Sequence, residues 1–423
     1  MSGDASPAAR RPVVVVQPVH QHAYETAVAA DKARLLRCFI TGLYCTSRRA
    51  ANLDSRGWLP HSLERAVSDK LRARWHPGLD SRRVLTITRH QALAVGVRIG
   101  LARLPLMGGW DLDLSNWAND RFDAAVARWL RRAGHRGLVH GFEGTSGRTL
   151  EAARQQGAVA VLDVPSAHEY HLDAIEAEGG TVDRRRTVQV KAERALADYL
   201  LAPSEYVIRC LVEHGVERSR IVHLPYGVDP SRFAPSPSGA SGRPFRAVFV
   251  GRIELGKGVR YLLEAWRRLA LPDAELLLVG APDRAGQGLL AEYEGTYRWI
   301  GAVPRREVHR WFAAADLLAF PTLSEGFGLV YLEAMATGLP VVTTPNGASV
   351  VRNGVDGLVV PPRDVDALCD AIMLLYQRPD LRKEMGANGR RLVEVAYTWE
   401  HYGRRLTDFY RTALSDESIG APT

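Results

Sequence analysis

The stretch Ser324–Thr344, SEGFGLVYLEAMATGLPVVTT, governs the reading of the whole chain. The apolar run Asp316–Phe320 precedes it and the apolar pair Val341–Val342 closes it. Between them, Leu329 to Thr337 has helical composition and is stopped by Gly338 and Pro340. The local order is therefore strand, glycine turn, helix, glycine stop, strand. The helix is apolar on every side except at Glu333. A lone carboxylate there is costly unless a protein donor or a ligand meets it.

A second carboxylate, Glu325, stands just before Gly326-Phe327-Gly328. Two glycines let a ligand approach the backbone, and the first helical amides, up to Leu329, point outward without intrahelical acceptors. That is an anion site suited to a phosphate. From Gly328 to Glu333 a helix rises roughly 7.5 Å at about 1.5 Å per residue. This is close to the separation between a diphosphate and its ribose, so the stretch is suited to a nucleoside diphosphate with a carboxylate at each end. The competing reading is a core helix whose glutamate is met by a backbone donor.

The chain has 423 residues, 46% of them hydrophobic, which suggests two to three globular domains and excludes a disordered or fibrous protein. No apolar run reaches the roughly 18 residues that span a bilayer, and MSGDASPAARRP lacks an apolar signal core. A cytoplasmic protein without a cleaved signal is expected. Cys38, Cys45, Cys210 and Cys369 lie far apart without C-x-x-C spacing, so free thiols and no metal site are expected.

Charge is uneven. Residues 1–150 carry 23 Lys+Arg against 12 Asp+Glu, a net +11, and the remainder carries 32 against 35, a net −3. Such a front half could attract an anionic acceptor or the inner face of an anionic membrane, but with lysine scarce beside arginine a solvated basic surface is the favoured account. Nothing in the pattern calls for nucleic acid.

A second glycine loop follows the strand-like Phe245–Val250: Gly251-Arg252-Ile-Glu-Leu-Gly-Lys257-Gly258, ahead of a helix from Val259 to Leu269. It matches the P-loop G-x-x-x-x-G-K-[ST] at Gly251, Gly256 and Lys257 but has Gly258 where a magnesium-binding hydroxyl belongs. Lys257 is one of only five lysines in the chain.

Together these residues carry a resemblance. Glu325, seven residues and Glu333, inside E-G-F-G-L-x-x-x-E-A-M-A-x-G-x-P-V-V, resemble the signature of the retaining glycosyltransferases of family 4, the glycosyl transferases group 1. The glycine loop resembles that family's G-R-x-x-x-K-G. Ala197-Asp198 with Ser204, and Pro225-Tyr-Gly-Val-Asp229, resemble its A-D-x-x-x-x-x-S and P-x-G-V-D landmarks, with Tyr226 in place of the usual asparagine.

The resemblance implies an α/β protein of GT-B fold, two doubly wound Rossmann-like domains facing across a cleft. It implies transfer of a sugar from a nucleotide sugar donor to an acceptor hydroxyl on a glycan, a lipid-linked sugar or a small molecule, with configuration retained and no metal or other cofactor. Arg252 and Lys257 would meet the donor diphosphate beside Gly251 and the amides of Gly326, Phe327, Gly328 and Leu329. Glu325 would hold the donor sugar and Glu333 the ribose, with Val303 beside the base. A functional histidine follows the strand Val159–Asp163 in the family, and here either Asp163, in register, or His168 fills that place. On the acceptor side, His20, His22 and Glu143 are candidates; His20 and His22 replace the usual paired glycines and could donate to phosphate or acceptor, or be plain loop histidines.

In order, the chain reads as a tail (1–12), an N-terminal acceptor-binding domain (13–229), a Pro/Ser/Gly linker (230–244), a nucleotide-sugar-binding domain (245–395), a helix returning to the first domain (396–414) and a tail (415–423). Within it, a strand at Pro12–Val16 precedes a helical pattern from Tyr24 to Ile40. Strands are expected at Arg83–Thr88, Gly137–His140 and Tyr199–Ala202, with Gly141–Gly144 as a turn. A helix is expected from Val188 to Asp198 and continuous helix from Leu381 to Tyr410. The apolar segment Gln91–Leu106, with Arg98 and Arg103, reads as core in preference to a membrane-surface helix. Asp111-Leu-Asp113 copies a metal-binding D-x-D but sits in an expected polar loop, where chance explains it. The rival functions are an epimerase or non-catalytic binder of nucleotide sugars and a P-loop-like nucleotide hydrolase. The donor base and sugar, the acceptor and the linkage are left open by the sequence.

Overall fold

The computed structural model describes residues 12–18, 22–45, 74–87, 110–180, 182, 184–233, 243–347 and 350–415. His20, Gln91–Leu106, the middle of the proposed linker and both tails lie outside them.

Short apolar runs become buried parallel strands, as a sheet covered on both faces requires. The first set is β1 (Val13–Val16), β2 (Leu36–Thr41), β3 (Val84–Thr86), β4 (Leu138–Phe142), β5 (Val159–Asp163), β6 (Tyr199–Ala202) and β7 (Ile221–His223). The second is β8 (Phe245–Val250), β9 (Ala274–Val279), β10 (Arg298–Gly301), β11 (Leu317–Phe320), β12 (Val341–Thr343) and β13 (Gly357–Val359). They form two sheets, of order β3-β2-β1-β4-β5-β6-β7 and β10-β9-β8-β11-β12-β13. In each, the order reverses beside the first strand, the arrangement of a doubly wound α/β fold. β1 pairs in parallel with both β2 and β4, and β8 with both β9 and β11.

The chain divides into two compact units. One comprises Met1–Val164, Arg185–Leu201 and Gly403–Thr423, and the other Pro165–Arg184 and Ala202–Tyr402. In the first, Val14, Val16, Phe122, Val126, Leu130 and Val139 form a common core. In the second, the helix Val259–Leu269 buries Val259, Leu262, Leu263, Ala265 and Trp266, one stripe at helical spacing, against the sheet.

Several sequence expectations are corrected. Tyr24–Ile40 is not one helix: His22–Lys32 is helical, the chain turns at Arg34 with φ 60°, and Leu36–Thr41 is β2, pairing with β1. The apolar residues of Leu36–Ile40 fit either period, and a free edge beside β1 decides for the strand. β4 continues through Gly141 and Phe142, which were expected to turn. Asp111 and Asp113 lie within the helix Trp110–Ala133, not in a loop. The helix expected at Val188–Asp198 spans Arg185–Leu196. The C-terminal helical region is broken into Pro379–Ala396 and Trp399–Ser415.

The break has a packing reason. The amide of Val228 donates to the carbonyl of Tyr397 at 2.9 Å, and a Cβ on Gly227 would lie 2.5 Å from the carbonyl of Thr398. The P-x-G-V-D turn thus receives the interhelical segment, and a glycine is needed for backbone to meet backbone there.

Candidate nucleotide-sugar site

Two glycine-bearing segments of the second unit build the site. The first leaves β8 at Gly251, makes a turn over Leu255–Lys257 and enters the helix Val259–Leu269 through Gly258. Gly258 has φ 67°, and a Cβ there would stand 1.9 Å from the carbonyl oxygen of Pro321, so no other residue fits without rebuilding the turn. The second segment leaves β11 and enters the helix Leu329–Ala336 through Gly328 at φ 73°.

The two are fastened together. The carbonyl of Gly256 accepts from the amides of Leu323 (3.0 Å) and Ser324 (3.2 Å) and from the hydroxyl of Thr322 (3.1 Å). In consequence, Lys257 Nζ lies 2.7 Å from Glu325 Oε2 and 4.0 Å from Glu254 Oε1. Arg252 Nε lies 3.7 Å from Glu254 Oε2, and its side chain is 70% exposed. Burial raises the pKa of Glu254, opposed by Lys257 and Arg252. Two cations and two carboxylates therefore share one edge of the second unit. Arg252 and Lys257 both approach Glu254.

The glycine turn before the helix is pinned from the other side. Ser204 Oγ donates to the carbonyl of Gly326, and a Cβ on Gly326 would lie 2.0 Å from the carbonyl oxygen of Pro165. Ser204 also caps its own helix, accepting from the Val207 amide at 3.2 Å. The landmark serine thus holds the glycine turn in place. Phe327 is buried, edge-on to Tyr226 at 5.3 Å between centroids, so its ring is packing and only its backbone is available to a ligand. Leu329 opens the helix, half-buried.

Glu333 is buried, and Arg305 Nη2 donates to its Oε1 at 3.1 Å. The donor that meets this carboxylate is therefore an arginine, not backbone. Burial raises the pKa of Glu333, opposed by Arg305 and Arg232. Val303 lies half-buried in the segment between β10 and Arg305.

His168 begins the helix His168–Ala177, and three residues on His171 faces the lysine loop: a Cβ on Gly256 would lie 2.9 Å from its Cε1. Burial first and Lys257 second lower the pKa of His171 to about 4, so its imidazole is neutral. Sequence reasoning passed over His171, Arg305 and Glu254. For His171 the available signal was its i+3 spacing from His168 on one helix face.

Asp163 lies elsewhere, in the first unit at the end of β5. It is 1% exposed, 3.5 Å from His22 Nε2 and 3.8 Å from His140 Nε2. Gln17, which follows β1 and is also 1% exposed, finds no hydrogen-bond partner for its amide among the described residues. His22 therefore belongs to a polar group at the carboxyl edge of β1, β4 and β5. Glu143 does not present itself to a ligand: its Oε1 accepts from Arg194 Nε at 2.7 Å in a buried ion pair.

One grouping of metal-ligand types occurs among the described residues: Glu169, Cys210 and His214, with donor atoms within 4.8 Å of one another. His214 Nδ1 is already 2.7 Å from the carbonyl of Cys210, the bond of a helix end.

The two doubly wound units have the architecture of the GT-B fold class, and comparison with solved structures agrees on the fold. The sucrose-phosphate synthase of Thermosynechococcus elongatus superposes with a TM-score of 0.68 at 21% identity, covering 95% of this chain and 99% of that one. Anabaena HepE in complex with UDP and glucose gives 0.62 at 15% identity, covering 95% and 100%.

Residues 244–378 match the family described as glycosyl transferases group 1. A GDP-mannose-dependent monoacylated alpha-(1-6)-phosphatidylinositol monomannoside mannosyltransferase of Corynebacterium glutamicum is 30% identical over 282 residues, 62% of this chain and 72% of the relative. A D-inositol 3-phosphate glycosyltransferase of Nocardioides sp. is 31% identical over 323 residues, 67% and 69% respectively. The chain belongs to the glycosyl transferases group 1, the family 4 type, and is a glycosyltransferase that uses a nucleotide sugar.

Proposed function

We propose that the protein transfers a hexosyl group from a nucleoside diphosphate sugar to a hydroxyl of a phosphate-bearing acceptor in glycoconjugate synthesis, keeping the anomeric configuration and needing no metal ion. The observation that carries this reading is the convergence of Lys257 and Glu325, 68 residues apart in sequence and 2.7 Å apart in space, ahead of the helix that opens at Gly328.

A departing nucleoside diphosphate gathers negative charge on its phosphate oxygens. Lys257 as a compact charge, Arg252 as an exposed fork and the amides of Phe327 to Leu329 are fixed donors for that charge, the task a metal would otherwise perform, whereas the Gly326 amide already donates to Glu325 Oε1 at 3.1 Å. Glu325, already hydrogen-bonded to Lys257, accepts from hydroxyls of the donor sugar, and Glu333 accepts from those of the ribose. In the step itself the bond between the anomeric carbon and the phosphate oxygen breaks as the acceptor oxygen bonds to the same face of that carbon. The acceptor proton passes to the released phosphate oxygen.

Both relatives act, by name, on inositol compounds that carry phosphate. An anionic acceptor suits the +11 charge of residues 1–150. If the acceptor is lipid-borne, that charge brings the protein to an anionic membrane surface as a peripheral protein. No helix among the described residues is long and apolar enough to cross a membrane.

The test is incubation with GDP-mannose and UDP-glucose in EDTA, with inositol phosphate and phosphatidylinositol mannoside acceptors. We expect nucleoside diphosphate released only together with a glycosylated acceptor of retained anomeric configuration. An altered sugar still joined to its nucleotide, or magnesium-dependent hydrolysis of nucleoside triphosphate, would overturn the reading.

A further inference from the structure

We infer that Arg305 is a positioning residue for donor binding: its guanidinium is the counter-ion that keeps Glu333 a charged, two-oxygen acceptor for the vicinal hydroxyls of a ribose. The inference rests on the donor-binding role proposed for Glu333.

The helix Leu329–Ala336, LVYLEAMA, offers no polar side chain near Glu333 except Tyr331, whose hydroxyl bonds to Thr343 Oγ1 at 3.0 Å. The Glu333 side chain is only 10% exposed. A carboxyl group so placed takes up a proton unless charge compensates it. Protonated, it offers one donor and one neutral acceptor in place of two charged acceptor oxygens, and its hydrogen bonds to a diol lose their charge assistance.

Compensation comes from outside the helix. Arg305 starts a turn directly after Pro304 and donates from Nη2 to Glu333 Oε1 at 3.1 Å. Its side chain remains 49% exposed while that of Glu333 is 10% exposed, so the arginine reaches the carboxylate from the solvent side. The other charged group acting on Glu333 is Arg232, on the turn Pro230–Arg232. That turn is held by Asp229, whose Oδ1 accepts from the Ser231 amide at 3.0 Å. Arg390 then ties it to the helix, donating to the carbonyls of Phe233 and Ala336. Among the described residues no further charged group acts on Glu333. Arg305 is the stronger of the two influences and makes the recorded hydrogen bond.

Nucleotide affinity should therefore depend on Arg305 in a way that pH reveals. The probes are GDP and UDP, whichever binds, and the 2′,3′-dideoxy form of the same nucleotide, measured by calorimetry on the full chain. Titration of the diphosphate itself affects both forms equally, so the ratio of the two dissociation constants isolates the ribose hydroxyls. The wild type should prefer the ribonucleotide at about pH 6 and at about pH 9. Arg305→Ala should keep the preference at about pH 9 and lose it about tenfold at about pH 6, because removing the opposing cation lets burial raise the Glu333 carboxyl further. Arg305→Lys should restore it at both. Glu333→Gln should lack it at both, a control that does not depend on Arg305.

A wild-type preference in Arg305→Ala at both pH values would overturn the inference. So would tighter ribonucleotide binding by that variant, which would make Arg305 a competitor of the ribose. If the wild type shows no ribose preference at all, the role of Glu333 itself is wrong and the counter-ion role falls with it. That outcome is distinguishable because it appears before any variant is made.

Discussion

His171 covers Gly256 so closely that a Cβ built on the glycine would stand 2.9 Å from the ring's Cε1 and 3.3 Å from its Nδ1. The loop cannot retreat, because the Gly256 carbonyl holds the amides of Leu323 and Ser324 and the hydroxyl of Thr322. One added methyl must therefore displace either the imidazole or the lysine that follows. Gly256→Ala should cost about 1–3 kcal/mol of stability, as overpacking does. It should also lower kcat, because Lys257 moves. Adding His171→Ala should recover most of both losses, a coupling that denaturant melts and steady-state kinetics would reveal. Additive losses would place the strain somewhere other than this contact.

Lys257→Ala separates chemistry from folding. Its side chain is 17% exposed and that of Glu325 19%, so the pair is shielded but not sealed. Loss of the ammonium should cost about 1–2 kcal/mol of stability, between the values for surface and buried pairs. Turnover should fall roughly 100- to 1,000-fold, the usual loss when a fixed donor to developing charge is removed. Normal turnover in a folded variant would remove the diphosphate from this place.

Glu325, Glu333 and their glycines sit on one short element, so spacing alone placed them, and the loop Gly251–Gly258 was legible for the same reason. Ser204 and Gly227 were legible only as landmarks. Their reasons, a hydroxyl on the Gly326 carbonyl and a backbone crossing at Thr398, are contacts across 122 and 171 positions. Arg305 stands 28 residues before Glu333, and no local period links them. β2 was misread because Leu36–Ile40 fits a helix as well as a strand until its neighbour β1 is known. Glu143 looked available in a polar turn because its partner Arg194 lies 51 residues on.

His140 gives the first unit a pH-dependent stability. Its ring is fully buried, with Nδ1 2.6 Å from the hydroxyl of Tyr410 and its plane stacked on Phe142 at 5.0 Å. Burial lowers its pKa from 6.5 to about 4, against the pull of Asp163. Between those values the unfolded chain binds a proton that the folded chain refuses, so stability must rise with pH across that window and fall on acidification. His140→Gln should remove one proton's worth of slope from unfolding free energy measured across that window. An unchanged slope would mean that the folded protein protonates His140 after all.

The buried pair Glu143–Arg194 carries the last prediction. Both side chains are almost fully enclosed, at 6% and 4% exposure, and they join the segment after β4 to the helix Arg185–Leu196. Arg194→Met strands a buried carboxylate and should cost about 3–5 kcal/mol. Replacing both, as Glu143→Leu with Arg194→Met, strands nothing and should return stability to within about 1 kcal/mol of the wild type, or above it, because the desolvation of two charges is no longer needed. The double variant therefore tests whether Glu143 also touches the acceptor. If its work is the ion pair alone, the restored protein should show the wild-type KM for acceptor; a stable double variant with a KM raised about tenfold, about 1.4 kcal/mol of binding, would return Glu143 to the acceptor site.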